Sequence, residues 1–220
     1  MSTKPLNLTS ELYEYVLASR SNAQDPVYEA LRLETENLGD VSEMSISPIQ
    51  ASLITLLVSA IGAKSALEVG TFTGTSSIAI ARGLMPGGKL VCFDSDFKYT
   101  SIARRYWMKA GVFERIELRL GDAHRLLPHY RPHIPLDFVF IDADKEAYDF
   151  YFETIISRVR PGGLILFDNM LRGGQVIDPE AKFTSANRAV DELNRKLAQD
   201  IRVQTVLLPI ADGLTVCRKR

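Results

Sequence analysis

The chain has 220 residues, 26 Lys and Arg against 27 Asp and Glu, a formal net charge of -1 and 46% apolar residues. That length favours one domain with a full-sized core over two, and a 24% charged fraction with ordinary Gly and Pro content excludes disordered, collagenous and coiled-coil chains. Balanced charge argues against a nucleic-acid partner, which needs a basic surplus on one face. The longest apolar stretch, 53–63, is interrupted by Thr55 and Ser59 and falls short of the roughly 20 residues of a membrane span, so no membrane partner is expected. Met1 to Lys4 runs straight into a polar, helix-like segment with no leader pattern, and Cys92 and Cys217 make no disulfide framework. The expectation is a cytoplasmic α/β chain.

The first third reads as helices. Thr9 or Ser10 caps a segment to about Ser19, with Leu12, Tyr15, Val16 and Ser19 on one face. Pro26 suits a first helical turn, and the apolar residues that follow run to Leu38 before Gly39 stops them. Ser47-Pro48 opens a third helix, expected to turn Leu53, Leu56, Leu57, Ala60 and Ile61 inward and to end at Gly62.

From Ser65 the rhythm changes to short apolar runs at 66–69, 89–93, 116–120, 136–141 and 164–167. Helical patterns at 75–84, 99–110, 123–129 and 146–159 separate them. Such alternation predicts parallel strands joined by right-handed crossovers, and near-continuous apolar strands fit a sheet covered on both faces. After a helix around 187–198, the runs 203–208 and 214–217 are joined by Pro209-Ile210-Ala211-Asp212-Gly213, a connection so short that the two must pair antiparallel. The expected fold is α/β, a single doubly wound, mostly parallel seven-stranded sheet with N-terminal helices.

Ligands of open parallel sheets bind at the carboxyl ends of strands, near the point where strand order reverses. The first strand ends Glu68-Val69-Gly70-Thr71-Phe72-Thr73-Gly74-Thr75-Ser76 and the second Phe93-Asp94-Ser95-Asp96. The two glycines permit a tight turn and close approach of a ligand, Glu68 is expected to stand over that ligand, and Asp94 suits ribose hydroxyls. No third glycine completes a dinucleotide fingerprint, and Glu68 would repel a pyrophosphate, which disfavours a nicotinamide dehydrogenase. An acid there suits a zwitterionic ligand such as S-adenosylmethionine. Gly121-Asp122-Ala123-His124 at the third strand end would lie against an adenine edge, although Asp122 also reads as an ordinary helix cap.

The fourth strand ends Asp142-Ala143-Asp144-Lys145 and the fifth Asp168-Asn169. A single Asp at a strand tip is commonly a cap. Two carboxylates and an amide oxygen on neighbouring tips are a donor set for a hard divalent cation, Mg²⁺ first, with Ca²⁺ or Mn²⁺ as alternatives. Lys145, at a helix start that disfavours a cation, reads as a candidate general base. The histidines at 124, 129 and 133 sit among Pro128, Pro132 and Pro135, which favours a solvated loop over a second metal site.

These stretches, with Met44-Ser45-Ile46-Ser47-Pro48, Arg172-Gly173-Gly174 and Leu208-Pro209-Ile210-Ala211-Asp212-Gly213, resemble the cation-dependent class I S-adenosylmethionine O-methyltransferases of the caffeoyl-CoA and bacterial catechol type. The resemblance implies a Rossmann-like methyltransferase fold with an antiparallel last strand inserted in the sheet. It implies one methyltransferase domain over 1–220, a helical extension at 1–47 and a cofactor-binding core at 48–220. Cofactor contacts would come from Met44, Glu68, Gly70, Ser76, Asp94, Ala123 and Asp144. Asp142, Asp168 and Asn169 would hold the metal, Asp142 and Lys145 would be catalytic, and the assembly would be a homodimer. The acceptor would be a small hydroxylated aromatic of the catechol kind. Alternatives are a macromolecular or non-catechol acceptor, or a non-catalytic S-adenosylmethionine-binding protein. Family members often carry tryptophan where this chain has Arg172, which directs attention to that side chain as an acceptor contact. The segment from Met170 to Thr184, with Gly173, Gly174 and Pro179, reads as a mobile substrate wall.

Overall fold

The computed structural model describes residues 6–21, 23–178 and 184–220. Met1, Lys4 and Pro179, named above, lie outside them. Five strands alternate with helices as the periodicity predicts: β1 (Ser65–Val69), β2 (Lys89–Asp94), β3 (Ile116–Leu120), β4 (Leu136–Ile141) and β5 (Val159–Phe167). Two more, β6 (Val203–Leu208) and β7 (Leu214–Lys219), form the expected antiparallel hairpin. The sheet order is β3-β2-β1-β4-β5-β7-β6, with β7 alone antiparallel to its neighbours. Strand order reverses between β1 and β4, so the tips of these two strands open the crevice in which a ligand can sit.

The helices are α1 (Ser10–Ala18), α2 (Pro26–Glu36), α3 (Pro48–Ala60), α4 (Thr75–Gly83), α5 (Phe97–Lys109), α6 (Ala123–Leu126), α7 (Tyr148–Ile155) and α8 (Ser185–Gln199). Thr9 caps α1 as expected, yet α1 buries nothing. Asp25 caps α2 with Pro26 in its first turn, and Leu31 and Thr35 carry its burial. Tyr106 OH on α5 donates to the Ala30 carbonyl at 2.9 Å, and Thr35 Oγ1 donates to Thr73 Oγ1 at 2.9 Å. Helix α2 is therefore a buttress behind the turn that follows β1.

The inward face expected for α3 is observed in part: Leu53, Leu57 and Ile61 pack partly buried against the core, but Leu56 and Ala60 do not. Gln50, Ala51, Ile54 and Val58 are buried, whereas Leu56 is 63% exposed and Ala60 faces outward. Apolar residues fall on more than one side of α3, so hydrophobic period alone did not select the face. Close approach to α4 selected it: a Cβ on Gly83 would meet Thr55 O at 2.7 Å and Val58 Cβ at 2.8 Å. The stretch Gly39–Ala60 has a membrane span's length and hydropathy. It is nonetheless a 3₁₀ turn (Gly39–Met44) and α3, parted at Ser45 and re-capped at Ser47.

The sheet divides two cores. Leu67, Val69, Val139, Ile141, Ile165 and Phe167 pack against α7 and α8, which contribute Tyr148, Phe152, Val190, Leu193 and Leu197. Ala66, Leu90, Cys92, Phe138, Phe140 and Leu166 pack against α3, α4 and α5. Cys92 and Cys217 are buried free thiols. Trp107 is buried with Nε1 donating to Ser77 Oγ at 2.8 Å, a packing role. The three histidines are exposed, and His124 stacks on Phe150 with ring centroids 3.9 Å apart.

Candidate active site

A cavity of about 750 Å³ opens at the strand tips where the order reverses. Its floor is the turn after β1. Gly70 has φ +87°, and a Cβ there would lie 2.0 Å from the Asp142 carbonyl oxygen, so only glycine lets this turn cross the tip of β4. Gly74, at φ +96°, is the N-cap of α4, and a Cβ there would strike Ala103 at 2.8 Å. Asp94 folds the turn: its carboxylate accepts from Thr71 N at 2.8 Å, Phe72 N at 2.9 Å and Asp96 N at 2.8 Å. Three of the roughly four lone-pair sites of a carboxylate are thus engaged by backbone.

Of the residues expected to touch the cofactor, Met44, Gly70, Ser76, Asp94, Ala123 and Asp144 line this cavity. Met44 ends the Gly39–Met44 turn at the rim, Ser76 lies in the first turn of α4, and Ala123 starts α6 behind its cap Asp122. Asp144 accepts from Tyr151 OH at 2.6 Å. Glu68 is a correction. It is fully buried beneath the turn rather than standing over the ligand, because strand alternation sends Leu67 and Val69 to one face and Glu68 to the other. Thr71 Oγ1 donates to Glu68 Oε2 at 3.0 Å, while Oε1 has no hydrogen-bond partner among the described residues. Burial pushes this acid up to about 7, opposed by the neighbouring Ser76, Cys92 and Thr71.

Asp142 and Asp168 each follow the paired residues Ile141 and Phe167, so they stand side by side on adjacent tips. Lys145 Nζ donates to Asp142 Oδ1 at 2.7 Å and to Tyr148 OH at 2.8 Å. Asp168 is 3% exposed and, unlike Asp142 and Asn169, does not line the cavity; its Oδ1 accepts from Gln50 Nε2 at 2.7 Å and Asn169 N at 2.7 Å. Burial and the charge of Asp142 push the Asp168 acid up.

This donor set fits a hard divalent cation. Among the described residues, Oδ2 of Asp142, Oδ2 of Asp168 and the side-chain amide of Asn169 take no hydrogen bond. Two neighbouring carboxylates, one of them buried, gain from a shared cation. No group of three or more His, Cys, Asp and Glu side chains gathers in metal-holding geometry among the described residues, so the set depends on the Asn169 amide as its third oxygen.

Arg172 lines the same cavity, with Nε donating to Asn187 Oδ1 at 3.1 Å. The loop from Asn169 to Gly173 is held by the β6–β7 connection: Met170 N donates to Gly213 O at 3.0 Å, Leu171 N to Asp212 O at 2.8 Å and Gly173 N to Asp212 Oδ1 at 2.5 Å. Among the described residues four that are not glycine have positive φ, namely Phe72, Asn169, Arg172 and Ala211; the first three line the cavity and the last lies in that supporting connection. Backbone strain of this kind persists where surrounding structure enforces it and collects at functional sites. Sequence reasoning did not single out Asp40, Glu43, Phe72, Tyr99 or Tyr151, which also line the cavity. Only the Phe72–Tyr99 edge contact, centroids 4.8 Å apart, joins two of them, and nothing in their spacing announces it.

The model of a family described as O-methyltransferase matches residues 18–220. The chain belongs to this O-methyltransferase family. The enzyme is 35% identical over 213 residues to a Dictyostelium discoideum protein named probable caffeoyl-CoA O-methyltransferase 2, covering 96% of this chain and 92% of that one. Its fold matches the Streptomyces achromogenes O-methyltransferase involved in tomaymycin synthesis, solved in complex with S-adenosylmethionine, with a TM-score of 0.85 at 29% identity over 95% and 96% of the two chains. The Bacillus cereus O-methyltransferase, solved in complex with S-adenosylhomocysteine, gives a TM-score of 0.84 at 31% identity over 94% and 96%. The protein is therefore an S-adenosylmethionine-dependent O-methyltransferase, with a seven-stranded Rossmann-like sheet common to it and its structural neighbours.

Proposed function

We propose that this methyltransferase acts on a small aromatic acceptor with vicinal hydroxyls, using a divalent cation held by Asp142, Asp168 and Asn169 and Lys145 as general base. The observation that carries the reading is the side-by-side placing of Asp142 and Asp168, with Lys145 Nζ on Asp142, next to the turn built on Gly70 and Asp94. Two adjacent acceptor oxygens match a cation with several open positions. When bound, the cation would supply Lewis acidity that makes the reacting hydroxyl easier to ionise.

The chain's own residues divide the remaining work. Asp40, Glu43, Asp96, Asp122 and Asp144 make the cavity wall acidic, which favours a sulfonium cation over a neutral analogue. Met44, Gly70, Ser76, Asp94, Ala123 and Asp144 would hold the cofactor, with Glu68 supporting the turn from below. The acceptor oxygen attacks the methyl carbon in line: the O–C bond forms, the S–C bond breaks and its electron pair stays on sulfur. The hydroxyl proton passes to the lone pair of Lys145 Nζ, which serves as base only as the neutral amine, so the ammonium that pairs with Asp142 must first release a proton to solvent. Holding oxygen, methyl carbon and sulfur collinear supplies most of the acceleration, since effective molarities for such positioning are on the order of 10⁵ M or more.

The test is a screen of catechols, caffeoyl esters and flavonoids with S-adenosylmethionine, with Mg²⁺ or with EDTA. Methylation of vicinal diols that EDTA abolishes and Mg²⁺ restores is the expected result. Full turnover of diols by metal-free protein, or methylation confined to isolated hydroxyls, overturns it.

A further inference from the structure

Positive charge is scarce in this cavity. Lys145 and Arg172 are the cationic residues that line it, against Asp40, Glu43, Asp94, Asp96, Asp122, Asp142 and Asp144. Lys145 is engaged by Asp142 and Tyr148. Arg172 differs: only Nε is engaged, by Asn187, a residue 2% exposed that in turn donates to Gln175. The guanidinium is thus anchored at one edge. Its two Nη groups make no hydrogen bond or ion pair among the described residues, although Glu146 lies close enough to sense the charge.

The backbone beneath it adds a second observation. Arg172 sits at φ +52°, a region that long side chains seldom adopt, and the Asp212 and Gly213 contacts enforce it. A guanidinium anchored at one edge on a strained backbone, with the rest of its planar fork open, suits bidentate capture of an oxyanion. Carboxylates line much of the remaining wall and the other cation, Lys145, is already engaged by Asp142 and Tyr148, so Arg172 is where an anion can be admitted.

We propose that Arg172 selects, among vicinal-diol acceptors, those that carry a carboxylate or a comparable compact oxyanion. This inference rests on the diol reading above. The test compares caffeate with its methyl ester, and protocatechuate with its methyl ester, using enzyme supplied with S-adenosylmethionine and Mg²⁺. The parent, Arg172→Gln and Arg172→Lys are assayed on each pair. The parent is expected to favour the acid over the ester in kcat/KM by roughly tenfold to a hundredfold, the range of a charge-assisted hydrogen bond. Most of that preference should lie in KM. Arg172→Gln should bring the acid-to-ester ratio close to one, and Arg172→Lys should keep part of it. A parent ratio near one, or a ratio unchanged in Arg172→Gln, overturns the inference while leaving the diol reading intact. Failure of the parent to methylate any of the four while it methylates other diols of the screen overturns this inference alone, and failure on every diol of the screen overturns the diol reading with it.

Discussion

Gln50 Nε2 donates to Asp168 Oδ1 at 2.7 Å, across 118 residues of sequence. The same amide works at both ends, because Gln50 Oε1 accepts from Ser47 N at 2.9 Å and Ser47 Oγ accepts from Gln50 N at 3.2 Å, a capping box that starts α3. The segment carrying Met44 to the cavity rim is in this way tied to the carboxylate proposed to hold the cation. Gln50→Glu separates the two roles. Glutamate preserves the capping-box acceptor but removes the donor to Asp168 and adds a third negative charge beside it. In EDTA the variant is expected to lose about 1–3 kcal/mol of stability, the cost of breaking a buried hydrogen bond to a charged group. Added Mg²⁺ should then raise its Tm by more than it raises the parent's. Equal Mg²⁺-induced shifts in the two proteins would confine Gln50 to helix capping.

Asp142 is the carboxylate shared between the proposed cation and Lys145. Its backbone N–H is fixed to Val69 O at 2.8 Å, so replacing the side chain leaves the tip of β4 in place. Asp142→Ala is expected to abolish cation-dependent turnover and to weaken Mn²⁺ binding by at least about tenfold in a direct titration, in line with loss of a coordinating oxygen. Turnover that survives both this substitution and EDTA rejects the cation's role.

Lys145 Nζ stands between Asp142 Oδ1 and Tyr148 OH, and Tyr148 OH donates onward to the Asp168 carbonyl at 3.2 Å. A general base acts on the chemical step. Lys145→Ala is expected to lower kcat by roughly 10²–10⁴ in single-turnover measurements. A defect confined to KM would make Lys145 a binding group instead.

Much of this architecture is legible in the sequence because each strand carries its own apolar run and each crossover its own cap. The runs at 116–120, 136–141 and 203–208 coincide with β3, β4 and β6. The chemistry at the tips is legible for the same reason, since a carboxylate that directly follows a strand has its position fixed by the strand. What escaped depends on side-chain direction and on contacts distant in sequence. Glu68 lies beneath its turn because of strand alternation, and α3 presents Ala51, Ile54 and Val58 because α4 is small enough there to approach. Gln50 looks like an ordinary capping residue until Asp168 is seen beside it. Arg172 stands out in the sequence only as a departure from a familiar pattern; its anchor at Asn187 required the packing of α8 against the Arg172–Ile177 turn.

Glu68 gives a prediction about pH whose sign follows from its burial. The acid stands at about 7 in the folded protein against a reference of 4.5, and burial is the main cause. Between those values the folded protein retains a proton that the unfolded chain releases. The stabilising contribution of this protonated acid is therefore complete below about pH 4.5 and is lost as pH rises through about 7. The loss amounts to a few kcal/mol, since each tenfold change in an ionisation constant is worth about 1.4 kcal/mol. Asp168, whose acid is also pushed up, adds a slope of the same sign, so the informative quantity is the difference between two proteins. Glu68→Gln keeps a neutral, isosteric side chain under the turn and removes this proton. In urea titrations of cofactor-free protein at about pH 4.5, 5.5, 6.5 and 7.5, which span the window above, the parent should lose stability with rising pH more steeply than Glu68→Gln. The variant's gain over the parent should build up to about pH 7 and level off above it, where the buried parent side chain is ionised and Oε1 has no partner among the described residues. Parallel slopes would mean that Glu68 is ionised across the whole range, held so by groups other than the Thr71 hydroxyl.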